Sequence, residues 1–210
     1  MLSGLFSNPL SFVLYLVSLF VALSVHEAAH AWMADRLGDP TARLQGRITL
    51  NPLKHIDLYG LMFLLFFGFG WGRPVEYDPF NLKNPRKDGA IISLAGPASN
   101  ILFAIILSVL LRLFNLFQLS DIFVIGSYLF YPLIIMNVSL GLFNLIPIYP
   151  LDGFGIVAGF LSREKAEEWF QLKRYGMIFL ILLIIPIGNG SMLSSILQPI
   201  ASFVINLLIP

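Results

Sequence analysis

Residues 5–34 read LFSNPLSFVLYLVSLFVALSVHEAAHAWMA. In thirty residues there is no Lys or Arg, one acid (Glu27) and a pair of histidines, His26 and His30. At 1.5 Å per residue a helix of this length crosses a hydrocarbon core of about 30 Å with some tilt. The run is too long for the apolar stretch of a secretory leader, and no basic residue precedes it, because Lys and Arg begin at Arg36. A carboxylate at bilayer depth costs roughly 2.5–3.5 kcal/mol on insertion scales, so Glu27 needs a reason to be there.

The rest of the chain agrees with a bilayer as its solvent. Of 210 residues, 57% are hydrophobic and 12% charged, about half the charged share of a typical soluble domain. The mean hydropathy is +0.82. A net charge of +1 gives no bulk attraction to nucleic acid, and none is expected as a partner. With no cysteine, disulfides, thiolate zinc sites and thiol catalysis are excluded. Further apolar spans are expected at about 89–111 and 122–161, the second broken at Pro147 and Pro150. A final pair, 175–187 and 192–209, is separated by Gly188-Asn189-Gly190, and its first member is short enough to be re-entrant. The apolar stretch 59–71 is too short and glycine-rich to span.

Segment 36–88 holds eight Lys/Arg and segment 162–174 four, while the 112–121 loop holds only Arg112. Positive loops stay in the cytoplasm, which predicts an extracytoplasmic N-terminus and five alternating crossings of the cell membrane. The expected fold is therefore an all-α, multi-pass membrane protein. It has about five transmembrane segments, one broken helix, and a short re-entrant or β-hairpin-like segment after the first helix. One membrane-embedded domain over 1–210 is expected, with a core at 5–161 and additional apolar segments at 175–209.

Only Glu27 and Asp152 place a charge well inside these apolar segments. Histidines four apart share one helical face, one turn apart, so His26 and His30 can grip a single ion. Glu27, one position along, can reach the ion's water without serving as a ligand. A metal lowers that water's pKa towards about 7, and a nearby carboxylate can take its proton. This is the zinc-peptidase pattern His-Glu-x-x-His. Hydrolytic zinc usually has three protein ligands, and Asp152 is the outstanding candidate for the third. It follows two prolines in Asn144-Leu145-Ile146-Pro147-Ile148-Tyr149-Pro150-Leu151-Asp152-Gly153. Irregular backbone at membrane depth is tolerated where it is buried in protein or lines a wet cavity.

With these motifs in order, the chain resembles the site-2 proteases, intramembrane zinc metalloproteases. The resemblance covers about 5–161. It rests on His26-Glu27-x-x-His30, Asn51-Pro52-Leu53-Lys54-His55-Ile56-Asp57, Gly96-Pro97-Ala98-Ser99-Asn100 and Asn144-x-x-Pro147-x-x-Pro150-Leu151-Asp152-Gly153. It implies His26, His30 and Asp152 as ligands of one zinc ion per chain and Glu27 as the catalytic glutamate. It also implies Asn144 as the group stabilising the oxyanion; from the residues alone, Asn144 equally well holds the broken helix together. A chain of this length leaves no room for an inserted PDZ or CBS domain, so a minimal member is expected. The implied substrate is another protein's transmembrane segment, cut nearer the cytoplasmic face.

Weaker features remain open. Gly96 reads as a helix-packing residue. Asn100 reads as a partner of either the broken helix or a substrate backbone. His55, between Lys54 and Asp57, reads as a solvated or capping residue before a ligand. Gly68–Pro74 is either an interfacial loop anchored by Trp71 or an edge that captures extended peptide, the latter resembling the family's substrate-holding hairpin. Segment 162–174 reads as an amphipathic connector on the membrane surface. Two rival functions are a non-catalytic metal-binding scaffold and a divalent-metal transporter. Glu27 argues against the first, and the single broken helix against the second. Lipid-facing and partner-facing apolar surfaces read alike, so no oligomeric state follows.

Overall fold

The computed structural model describes residues 7–67, 70–187 and 190–210. Three of its helices are long and apolar enough to cross a membrane: α1 (Pro9–Arg36), α4 (Pro85–Leu116) and α5 (Ser120–Asn144). Between α1 and α4 lie a single turn, α2 (Thr41–Leu44), and the ten-residue α3 (Leu58–Phe67). After α5 come α6 (Asp152–Phe160), α7 (Arg163–Gln171), α8 (Lys173–Ile184) and α9 (Met192–Leu208). Two-residue strands β1 (Pro186–Ile187) and β2 (Gly190–Ser191) pair antiparallel between the last two helices.

α1 starts where Asn8 accepts a hydrogen bond from the Ser11 N–H at 3.1 Å and Pro9 supplies a preset φ. Its burial is inverted relative to a soluble helix. The buried positions are Ser18, Ala22, Ser24, His26, Glu27, His30, Ala31 and Ala34, whereas Leu10, Val13, Val17 and Trp32 are exposed. Small and polar groups face the helix partners, and bulky apolar groups face outward, as packing in lipid favours.

α4 is the central helix, packing on α1, α5 and α6. Its buried positions Gly89, Ile92, Gly96, Asn100, Ala104, Leu107 and Leu111 recur every three or four residues along one face. The last three join Ile134 and Val138 of α5 in the apolar core. Val204, Ile205 and Leu208 of α9 cover that core. The Ser108 hydroxyl donates to the Leu208 carbonyl, and Arg112 Nη2 to the Leu207 carbonyl at 2.8 Å.

The expected 122–161 span is indeed interrupted. α5 ends at Asn144, residues 145–151 turn, with a cis Tyr149–Pro150 bond, and α6 resumes at Asp152. α6 approaches α4 through glycines: a Cβ on Gly155 would stand 2.4 Å from Ser93 Oγ, and one on Gly159 2.3 Å from Ala90 Cβ. That close contact sets the height at which Asp152 enters the bundle. The C-terminal pair forms α8 and α9, of 12 and 17 residues, close to the expected 175–187 and 192–209, and α8 is the short member. In the 68–74 stretch Gly68 and Phe69 lie outside the described residues, as do residues 1–6 and Gly188-Asn189. Among the described residues, the stretch after α3 forms one isolated antiparallel bridge, Ile56 to Gly72, and no regular strand or hairpin. The 162–174 connector forms α7, which docks on α6: Trp169 stacks on Phe154 at 4.9 Å and its Nε1 donates to the Phe154 carbonyl at 2.9 Å.

Candidate metal centre and catalytic site

His26 and His30 lie one turn apart on the buried face of α1, and Asp152 opens α6 opposite them. His26 Nε2 is 3.0 Å from Asp152 Oδ2, His30 Nε2 is 3.3 Å from the same oxygen, and the two Nε2 atoms are 3.0 Å apart. All three residues are at least mostly buried.

The other nitrogen of each ring determines what these atoms can do. His30 Nδ1 lies 2.7 Å from the Ile92 carbonyl, which only accepts, so Nδ1 carries the hydrogen. His26 Nδ1 lies 2.7 Å from Asn100 Oδ1. The Asn100 amide nitrogen already donates to the Ala22 carbonyl (2.9 Å) and to Asn137 Oδ1 (2.8 Å), so its oxygen is the acceptor. In the neutral rings both Nε2 atoms therefore present lone pairs, aimed at each other and at a carboxylate oxygen. Asp152 Oδ2 has no hydrogen-bond partner and is shielded from solvent. Three electron-pair donors converge with no hydrogen between them, an arrangement stabilised by a cation. Two imidazoles and a carboxylate suit zinc, with a further position open. The donor set fits the metal.

Gly96 of α4 makes room for this cluster. A Cβ there would stand 2.3 Å from His30 Nε2 and 2.7 Å from His26 Cε1. The glycine that reads as a packing residue thus packs against the imidazoles themselves. Asn100 is fully buried, its side chain bonded to His26, the Ala22 carbonyl and Asn137. It links His26 of α1 to Asn137 of α5, whose own amide donates to the Leu133 carbonyl at 2.8 Å.

Glu27 borders a cavity of about 370 Å³ that His26 also lines. Leu19, Leu23, Leu61, Leu64, Phe143 and Leu180 give that cavity its apolar walls; His26, Glu27, Asp57 and Asn144 are its polar groups. Glu27 Oε2 accepts from the Val75 N–H at 3.1 Å and lies 3.8 Å from Arg47 Nη2. Asn144 borders the cavity at the end of α5, with Nδ2 donating back to the Leu140 carbonyl at 3.1 Å. A second, more polar cavity of about 170 Å³ opens on the far side at Asp152, beside Tyr77, Arg86, Ser93 and Lys173. Pro150 and Leu151 border both cavities.

Val75 is brought to Glu27 by an irregular segment pinned at several points along its length. The Arg73 N–H donates to the His55 carbonyl at 2.7 Å and the Asp78 N–H to Asp39 Oδ2 at 2.9 Å. Asn81 Nδ2 donates to Asp39 Oδ1 at 2.7 Å. Burial pushes the Asp39 carboxyl upward, but the hydrogen bonds from Thr41, Asn81 and the Asp78 N–H together hold it below the usual carboxylate range. His55 differs from expectation: it is fully buried, its Nε2 donates to the Thr49 carbonyl at 2.8 Å, and burial pushes its pKa down. It lies in the loop scaffold, apart from the three converging donors.

The sequence reading passed over Asn137, Arg47 and Asp39. Asn137 had a signal, an amide in the middle of an apolar span. Arg47 and Asp39 had none, since each sits among the many charges of segment 36–88.

The chain matches peptidase family M50 over residues 14–126 and 114–185. It is 41% identical over 187 residues to "Putative zinc metalloprotease YwhC" of Bacillus subtilis, an alignment covering 86% of this chain and 85% of that one. It is 31% identical to "Putative zinc metalloprotease Rip2" of Mycolicibacterium smegmatis, covering 85% and 70%. A zinc metalloprotease of Methanocaldococcus jannaschii is 26% identical over 77% of this chain and 38% of its own length. No solved structure matches.

Proposed function

Because the chain belongs to peptidase family M50, the site-2 proteases, we propose that it is a zinc-dependent endopeptidase cutting peptide bonds within or near transmembrane segments of other membrane proteins. One observation carries this reading. A carboxylate, Glu27, borders an apolar cavity directly beside three converging donors without being one of them.

In this reading His26, His30 and Asp152 hold one zinc ion per chain, and zinc supplies Lewis-acid activation of water and of the scissile carbonyl. Asn100 and the Ile92 carbonyl fix the two imidazoles through their Nδ1 hydrogens. Glu27, with Oε2 held by the Val75 N–H, accepts the proton from water and returns it to the departing amine. Asn144 donates to the oxygen on which negative charge develops, after giving up its bond to Leu140. The apolar walls shelter an unwound stretch of substrate; an intact helix would keep its carbonyls engaged, so helix-weakening residues near the cut are expected. The whole chain acts as one membrane-embedded domain crossing five times, with the N-terminus outside. His26 and His30, late in α1, then sit nearer the cytoplasmic face.

The test uses protein purified in detergent, with zinc content and cleavage of fluorescently labelled casein as readouts. Wild type should hold about one zinc and cut. Glu27→Gln should keep its zinc and lose turnover by about 10²-fold or more, the share of a proton-transferring group. Equal turnover in the variant would sink the role of Glu27. Zinc without cleavage in wild type would favour the scaffold, and zinc flux into proteoliposomes the transporter.

A further inference from the structure

Arg47 is 3% exposed, which is uncommon for an arginine unless its charge is matched. Its guanidinium reaches three separate stretches of chain. Nη1 donates to the Lys54 carbonyl at 2.7 Å, Nη2 donates to the Arg73 carbonyl, and Nη2 also stands 3.8 Å from Glu27 Oε2. Its Nε is buried with no hydrogen-bond partner, so the burial serves the two Nη groups alone. Two residues beyond Arg73, the Val75 N–H donates to that same Glu27 oxygen. One prong of the planar fork, Nη2, thus serves both the 73–75 segment and the carboxylate while the other, Nη1, ties them to the Lys54 loop, a two-pronged geometry that lysine cannot supply.

We propose that Arg47 is the positioning residue of the site, locking the Arg73–Val75 segment and the Glu27 carboxylate into one unit. Oε2 of Glu27 accepts from the Val75 N–H and is faced by Arg47. The segment that Arg47 fixes also borders the apolar cavity through Trp71, Gly72 and Pro74. A substrate lying against that segment would find the proton acceptor already at a set height. The inference rests on the reading of Glu27 as proton acceptor, and it concerns how that residue is held.

Arg47→Lys and Arg47→Gln are compared with wild type and Glu27→Gln in three measurements. The first is amide hydrogen exchange over residues 70–78, which needs no activity. Arg47→Gln should raise exchange at Arg73 and Val75 about tenfold or more, and Glu27→Gln should raise it at Val75. Unchanged protection in Arg47→Gln overturns the proposal. The second is zinc content, expected to stay at about one per chain; loss of zinc in both Arg47 variants would mean a general structural role and would also overturn it. The third is casein cleavage, where Arg47→Gln should lower kcat about 10²-fold with KM within threefold, and Arg47→Lys should lower it less. Arg47→Ala should regain part of its kcat in added guanidinium, a rescue that a merely misfolded variant would not show. Wild-type kcat in Arg47→Gln contradicts the proposal, whereas zinc-loaded wild type that leaves casein intact counts against the protease reading alone.

Discussion

The two sides of the site are built from different chemistry. On the bundle side, where α1, α4 and α5 meet, the histidines are held by neutral groups: the Asn100 amide, the Ile92 carbonyl and, one step back, Asn137. On the loop side, between α1 and α4, Glu27 and its segment are held by charges: Arg47 and Asp39. Amides satisfy one another without a net charge at membrane depth, where an ion costs several kcal/mol. Ions are tolerated beside the basic loop, where the chain turns back from the apolar span. The division teaches that damage on one side should be read in metal content and on the other in turnover.

The largest break should come from the bundle side. Gly96→Ala places a methyl within 2.3 Å of His30 Nε2, a separation that atoms do not sustain. Zinc should fall from about one per chain to near zero, as in Asp152→Ala, measured by elemental analysis of purified protein. Wild-type zinc in Gly96→Ala would show that the imidazoles can move aside. Asn100→Ala comes next. It removes the acceptor that orients His26, and loss of such a partner typically weakens metal affinity about 10–100-fold. A chelator titration would show it, and unaltered affinity would mean that the bundle side needs no amide.

On the loop side, Asp39→Ala leaves the Asp78 N–H and the Asn81 amide without their buried acceptor, at a cost of about 1–3 kcal/mol. The midpoint of thermal unfolding should fall while zinc per folded chain stays constant. Zinc loss in step with stability would erase the division between the two sides. The smallest effect concerns pH. His55 is buried neutral with its pKa below the ordinary 6.5, and Arg47 adds to the penalty on its charged form. The unfolded chain takes a proton below that value that the folded chain refuses, so stability should decline as pH falls from 6.5 towards the folded pKa. His55→Gln should flatten that decline; an unchanged slope would assign it to other groups. Asp39, with its depressed pKa, keeps its contribution above the ordinary carboxylate range and loses it only in stronger acid.

How much of this was legible in the chain follows the same division. The convergence of His26, His30 and Asp152 could be read because charges are so rare in apolar runs that Glu27 and Asp152 stand out, and because a four-residue spacing fixes the geometry of the two histidines. The break after Asn144 could be read from Pro147 and Pro150, since proline cannot continue a helix. Asn137 could have been found by the same logic of polar residues in apolar surroundings. Arg47, Asp39 and the buried state of His55 could not, because their neighbours are charged and nothing local separates a load-carrying ion from a solvated one. The C-terminal pair could be read nearly to its ends, 175–187 and 192–209 against Lys173–Ile184 and Met192–Leu208, because hydropathy marks where an apolar run starts and stops.

Pro150 and Leu151 have an apolar cavity on one side and a polar one on the other. A hydrolase set within a bilayer faces a danger that a soluble one does not, since a continuous wet path through it would let ions leak and discharge the membrane. If the proposed function holds, the wall formed by this short segment and the three donors beside it would serve as an electrical seal. The polar lining on the Asp152 side and the apolar lining on the Leu61 and Leu64 side share Pro150 and Leu151, so on the proposed reading the barrier is thinnest beside the chemistry.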